Sequence, residues 1–261
     1  MKAEKAYILY IENHYSKEYR DTAIESCEKV GIPYECVLGY SVSNSDSIIK
    51  FNEELKIINS DGNLTLDQLN LWASLSKEIK NLTKPIVNKH WMDVRAACAT
   101  AGHYLIWDKI IEDDVVGIVL EHDAIMLHKP EIDIPDDAIV ALGYKRNDPE
   151  NYHHEIAGPP QKVVPADRHS GAHAYAITPK TAKRLLKELD DQGITEAVDN
   201  RYFMREKLRF AGQPDKITSV NLGITDPICA LGWLRRSTIW GASANFNYEL
   251  IDSYTQHSSK I

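Results

Sequence analysis

The sequence predicts one α/β domain, a central sheet with helices packed on its faces, and three observations lead there. The chain opens as strand, helix, strand between Lys5 and Leu38. Its most apolar strand-like run, VVGIVL at 115–120, ends directly in an acidic tripeptide, Glu121-His122-Asp123. At 261 residues the chain suits one large domain, and its 43% hydrophobic and 26% charged residues suffice for a real core.

Each element follows from local pattern. Residues 5–11 (KAYILYI) are apolar and rich in strand formers, so they predict a buried first strand, followed by a polar loop over 12–16. Over 17–30, Ala23, Ile24, Cys27 and Val30 fall on one helical face, and Gly31 and Pro33 stop the helix. Residues 34–38 form the second strand; no GxGxxG turn is present, so no dinucleotide cofactor is indicated. Residues 40–65 read as polar and irregular, and 67–80 as a surface helix. One long helix or two nearly continuous ones are expected over 87–112, with Trp91, Val94, Cys98, Ala101, Leu105 and Ile106 on one apolar face and Gly102 as the weak point. Asp113 and Asp114 close it before the central strand at 115–120.

A short apolar piece at 124–127 and a strand at 138–144 come next, then a long polar loop over 146–171 containing Pro159 and Pro160. Residues 172–177 predict a strand, and Thr178 with Pro179 supplies an N-cap and first-turn proline for a helix burying Ala182, Leu185, Leu186 and Leu189. Residues 198–208 read as helical; from 217 onward short strands and turns hold Trp233 and Trp240.

The formal net charge is -8 and the sequence pI about 5.7, so no overall positive field draws the chain to nucleic acid or anionic lipid. Local clusters exist at Lys180, Lys183 and Arg184, and at Arg235 and Arg236. No apolar run approaches the ~18 residues that cross a bilayer, and the expected location is the cytoplasm. Cys27, Cys36, Cys98 and Cys229 are scattered without CxxC spacing, as reduced thiols rather than a zinc site would be.

Ligands of open α/β sheets bind beyond the carboxyl ends of strands. Glu121 and Asp123 therefore stand where a hard divalent ion and an anionic ligand would sit, the alternative being a solvated turn or helix cap.

Residues 103–127, HYLIWDKIIEDDVVGIVLEHDAIML, resemble glycosyltransferase family 25, the lipooligosaccharide and collagen galactosyltransferase group, in the order of its histidine, tryptophan, helix end and acidic strand end. Arg20, the stretch GAHAYAITPKTAKRLL at 171–186 and AVDN at 197–200 agree with it. Two places depart: Arg95, Ala96, Ala97, Cys98 and Ala99 with Gly102 replace the glycine-bearing turn and the serine before His103, and His122 replaces the middle acid.

The resemblance implies a single GT-A-like domain, a Rossmann-type mixed sheet flanked by helices. Residues 1–127 would form its nucleotide-sugar and metal half and 128–261 its acceptor half. It implies inverting transfer of a hexose, galactose or glucose, from a nucleoside-diphosphate sugar such as a UDP-sugar to a glycan hydroxyl, with Mn²⁺ or Mg²⁺. Asp123 would ligate the metal, with Glu121 beside it or acting through water or the nucleoside, and His257 joining from the tail. Arg20, Glu12, His122 and His103 would meet the donor; the alternative for Arg20 is a solvated helix face, and for His103 orienting a carboxylate or filling the core. His169, next to Arg168, is expected to be open to a phosphate or acceptor, while Trp233 and Trp240 form an acceptor wall or pack in the core. Asp199 is the candidate general base or the N-cap of a helix starting at Asn200, ahead of Asp190 and Asp191; His173 reads as core. Two other functions remain: the same chemistry on a hydroxylated base of viral DNA, and a degenerate sugar-nucleotide-binding module, which His122 and the altered 95–102 stretch motivate.

Overall fold

The computed structural model describes residues 1–12, 14–39, 94–145, 158–169, 171–192, 197–203 and 218–232. The expected helix at 67–80, the irregular 40–65, Trp91, Trp233, Trp240 and His257 lie outside them, as do 146–157 and 170 of the expected loop.

Strand β1 (Lys5–Tyr10), helix α1 (His14–Val30) and β2 (Tyr34–Leu38) form the expected opening unit, with β1 and β2 parallel. Gly31, at φ 69°, ends α1: its N–H bonds Glu28 O at 3.1 Å and Ile32 N–H bonds Cys27 O at 3.0 Å. This is the Schellman closure that a left-handed glycine permits. Helix α2 (Val94–Asp113) leads to β3 (Gly117–Glu121), which pairs parallel with β1, and β4 (Ala124–Met126) follows a two-residue turn. Then come β5 (Ala138–Ala141), β6 (Gly143–Lys145), β7 (Lys162–Pro165), β8 (Ala174–Ile177) and helix α3 (Pro179–Gln192). A π-helical turn (Asp199–Phe203), β9 (Asn221–Asp226) and β10 (Ala230–Gly232) complete the set.

Seven strands form one mixed sheet in the order β2-β1-β3-β8-β5-β9-β7, and β4-β10-β6 form a second, smaller sheet. On one face Ala101, Ile106, Trp107 and Ile110 of α2 and Ala182 and Leu185 of α3 pack on Tyr7, Leu9, Val119 and Tyr175. On the other, Ala23 and Cys27 of α1 and Met126 and Ala230 of the small sheet pack on Ile8, Ile118, Leu120 and Ala176. The product is the expected α/β architecture, a mixed sheet flanked by helices.

Three expectations are corrected. The strand at 138–144 breaks at Leu142, whose carbonyl accepts from Cys229 N at 2.8 Å and Ala230 N at 3.0 Å, sending the chain into the small sheet. Gly143 permits this crossing, because a Cβ there would fall 1.6 Å from Ala230 O. The polar stretch 146–171 is not all loop: β7 pairs antiparallel with β9 at the sheet edge, where Pro165 costs no ladder bond to a further strand. Gly102 is no weak point, since α2 runs through it and a Cβ there would meet Leu9 Cδ1 at 2.7 Å, so glycine lets helix and strand approach. The segment after Ala197 is helical as expected over its described part, in the form of a π-helical turn; 204–208 lie outside the described residues. Thr178 caps α3 as expected, its Oγ1 accepting from Thr181 N at 3.2 Å.

Cys27, Cys36 and Cys229 are free thiols; burial pushes Cys27 and Cys229 each up to about 12, so both stay protonated and inert. Among the described residues no helix is long and apolar enough to cross a membrane.

Candidate active site

Because β1, β2 and β3 run parallel, their carboxyl ends open on one edge, and the register sets Leu9 beside Glu121. Glu121 is the last residue of β3, its N–H bonded to His173 O at 2.8 Å. It follows Val119 onto the α2 face of the sheet, where His103 waits: Nε2 lies 3.4 Å from Glu121 Oε1. The other ring nitrogen, Nδ1, lies 2.8 Å from the Tyr175 hydroxyl, and that hydroxyl accepts from Trp107 Nε1–H at 2.8 Å. His103, Trp107 and Tyr175 are all fully buried, so His103 meets Glu121 but does not itself meet solvent. Burial holds the Tyr175 hydroxyl well above its ordinary titration range, leaving it a permanent O–H.

His122 turns the other way, its ring stacked near Tyr19 of α1 at 6.0 Å and 17°. Asp123 occupies the β3–β4 turn and is 6% exposed. That turn is tied down from below, since Ser26 of α1 accepts from Met126 N at 3.0 Å while donating to Ala23 O at 2.7 Å. Arg20 stands at the same sheet edge, its guanidinium 4.8 Å from the Tyr10 ring and bonded through Nε and Nη2 to Asp21 Oδ1 at 2.9 and 2.6 Å. Glu12, in the β1–α1 loop, is exposed and paired with Lys17 at 2.5 Å.

Asp199 starts the π-helical turn and is partly exposed. The turn docks on α2 through Val198 N–H to Thr100 Oγ1 at 3.1 Å, one helical turn before His103. Tyr202 meets Trp107 edge-on at 5.7 Å, and Phe203 meets Tyr175 edge-on at 5.3 Å. One aromatic block thus backs both Glu121 and the Asp199 turn. π-Helical turns are rare and concentrate at functional sites.

His169 departs from expectation. It is 2% exposed, with Nδ1 at 3.0 Å from Gly171 O and Nε2 against Gly143 O, so its ring ties chain segments together instead of standing open to ligand. His173 is buried as expected, its ring against Gly232, where a Cβ would sit 2.9 Å away. Sequence reasoning missed Tyr175, Tyr10 and Tyr19, and took Trp107 only as part of a motif. The available signal was a tyrosine hydroxyl and an indole N–H in apolar segments, groups that find a partner when buried.

Among the described residues no group of three or more His, Cys, Asp or Glu is placed to hold a metal. By donor chemistry Glu121 and Asp123, two residues apart in sequence at the end of β3, are of the oxygen type that a hard cation such as Mg²⁺ takes one or two of, sharing the rest of its shell with substrate phosphates and water.

Fold and site together define an open-sheet α/β protein with two carboxylate residues, Glu121 and Asp123, at the carboxyl end of a central strand, and with aromatic side chains behind Glu121. Residues 4–201 match the family described as glycosyltransferase family 25 (LPS biosynthesis protein), and since that is most of the chain, the protein belongs to this family. Membership makes it a glycosyltransferase, with a sugar donor and an acceptor as its partners. A solved glycosyltransferase involved in the glycosylation of the major capsid of PBCV-1 is similar over 88% of this chain and 94% of its own, at 9% identity and a TM-score of 0.39, a loose likeness. No curated protein matches the chain.

Proposed function

We propose that the protein is a GT-A-type hexosyltransferase that uses a nucleoside-diphosphate sugar, UDP-linked, and a divalent cation to glycosylate a glycan hydroxyl with inversion. The observation that carries this reading is the placement of two carboxylate residues at the carboxyl end of the central strand, Glu121 anchored by His103 and Asp123 nearly buried in the β3–β4 turn. Asp123 and Glu121 would hold Mn²⁺ or Mg²⁺, whose charge would offset that of the departing diphosphate. Arg20, at the same edge, offers a planar fork of donors to the nucleoside or diphosphate. His122 lies on the Tyr19 side, where a ring nitrogen can meet a ribose hydroxyl. Asp199, on the partly exposed turn beyond α2, takes the proton of the attacking hydroxyl.

The test is hydrolysis of a panel of nucleotide sugars with and without Mn²⁺, in the absence of acceptor, by the intact protein and by Asp123→Asn. One sugar nucleotide is expected to be hydrolysed slowly and only with metal. The variant should lose most of that activity while keeping its circular dichroism spectrum, because an amide is a neutral, poorer ligand for a hard cation. Metal-independent turnover, or wild-type turnover by Asp123→Asn at limiting Mn²⁺, would remove the metal from this site. Nucleotide binding without any turnover would instead favour the degenerate binding module.

A further inference from the structure

We propose that Tyr175, seconded by Trp107, is a positioning residue that locks His103 in its Nε2–H tautomer, so that a neutral imidazole donates to Glu121 and fixes its carboxylate without cancelling its charge. The proposal rests on the reading of Glu121 as a site carboxylate. The lock itself follows from counting protons.

An indole N–H can only donate, so Trp107 occupies one lone pair of the Tyr175 oxygen at 2.8 Å. The phenol has one proton of its own to place. His103 Nδ1, at 2.8 Å, is the other polar atom within hydrogen-bond distance of that oxygen among the described residues. If Nδ1 carried a hydrogen it would donate to the second lone pair, and the buried Tyr175 O–H would find no acceptor among the described residues. An unmade hydrogen bond of a buried group is costly, because the group has given up water without replacement. In that same tautomer the bare Nε2 lone pair would face the Glu121 carboxylate at 3.4 Å, a repulsive contact. The imidazolium form avoids the second conflict but keeps the first, and adds a charge on a ring that is fully buried.

The Nε2–H tautomer resolves both. The donors then run in one direction, from Trp107 N–H to Tyr175, from Tyr175 O–H to His103 Nδ1, and from His103 Nε2–H to Glu121 Oε1. Ring packing holds the series in place, with His103 and Tyr175 centroids 5.7 Å apart at 22° and Phe203 edge-on to Tyr175 at 5.3 Å. Loss of such an outer hydrogen bond behind a metal-binding group ordinarily weakens metal affinity or activity about 10–100-fold.

The experiment is a long-range ¹H–¹⁵N correlation spectrum of the full chain with ¹⁵N-labelled histidine, His103 being assigned by the signal lost in His103→Gln. The expected result is the pattern of an Nε2–H imidazole in the wild-type protein, and a mixture of tautomers in Tyr175→Phe. Alongside it, Mn²⁺ titrations of turnover should show Tyr175→Phe needing about 10–100-fold more metal for half-maximal rate. Saturating metal should recover much of the rate. His103→Gln, which keeps an N–H near the Nε2 position, should retain more activity than His103→Leu. An Nδ1–H or imidazolium pattern in the wild-type protein would overturn the proposal, and that measurement stands even if Tyr175→Phe does not fold. Unchanged tautomer and unchanged metal requirement in Tyr175→Phe would overturn it equally. If the tautomer behaves as expected but turnover ignores metal in every variant, the lock stands and the metal reading falls.

Discussion

At the scale of single residues, Asp199 is the sharpest test of mechanism, because its two possible roles diverge under one substitution. As a general base it must be ionised and within reach of the acceptor hydroxyl, so Asp199→Asn should lower turnover by about 10²–10⁴ with donor affinity nearly unchanged. As a helix cap it would tolerate asparagine, since both side chains cap well. Initial rates at saturating acceptor decide between them; near-normal turnover would redirect the search to Glu196 or to the neighbourhood of His173. Glu121 and Asp123 were legible in the sequence because a carboxylate after a strongly apolar strand falls at the sheet edge whatever the rest of the fold does. Tyr175 and His103 were not legible as a pair: 72 residues separate them, and only the antiparallel pairing of β8 with β3 brings them together. His169 misled for a related reason, since a polar flank in the sequence gave no hint of the carbonyls of Gly143 and Gly171 that enclose its ring.

At the scale of elements, the amino end of β1 is stapled to β2 and α2 by charge. Lys5 Nζ lies 2.7 Å from both Glu35 and Asp113, Tyr7 donates to Asp113 at 2.6 Å, and Lys109 reaches Glu35 at 2.5 Å. Lys5 and then Tyr7 hold the Asp113 carboxyl below its usual range, and Lys109 and then Lys5 do the same for Glu35. Depressed carboxyl values mean that this stabilisation is complete above about pH 4 and is lost as pH falls through the folded values. Tyr7 works at the opposite end. Burial, then the bond to Asp113, raises its hydroxyl, so its contribution is present below about pH 10 and fades above it. Asp113→Asn should lower stability at neutral pH by about 0.2–1 kcal/mol, the scale of a partly exposed pair, and the gap to wild type should close in acid. Urea unfolding midpoints between about pH 2 and 8 measure this; a constant gap would show that the staple is not electrostatic. The β-α-β opening was legible because apolar runs, Gly31 and Pro33 are local signals that tertiary contacts reinforce. Strand β7 was not, since an edge strand with half-buried valines between charged and proline residues carries no strong periodicity. The break at Leu142 was equally invisible, being set by carbonyl contacts with Cys229 and Ala230 far along the chain.

At the scale of the whole molecule, one aromatic block joins what the sequence holds apart. Trp107 and Tyr175 stand behind Glu121 through His103 and beneath the Asp199 turn through Tyr202 and Phe203, so Glu121 and the Asp199 turn share one backing. The acceptor that fits this body is constrained by its charge. A net -8 repels a polyanion at long range, and duplex binding would need enough Lys and Arg on one face to release condensed counterions. A neutral glycan releases none. Raising salt from about 50 to 200 mM should therefore leave the acceptor KM within about twofold, whereas 6–10 phosphate contacts would weaken binding by about 10³–10⁵. Steady-state kinetics across that range, with an oligosaccharide panel and a hydroxymethylated duplex as acceptors, makes the comparison. A steep fall with salt on the duplex, with turnover, would overturn the glycan assignment and place the basic residues at 180–184 or 235–236 against a phosphate backbone.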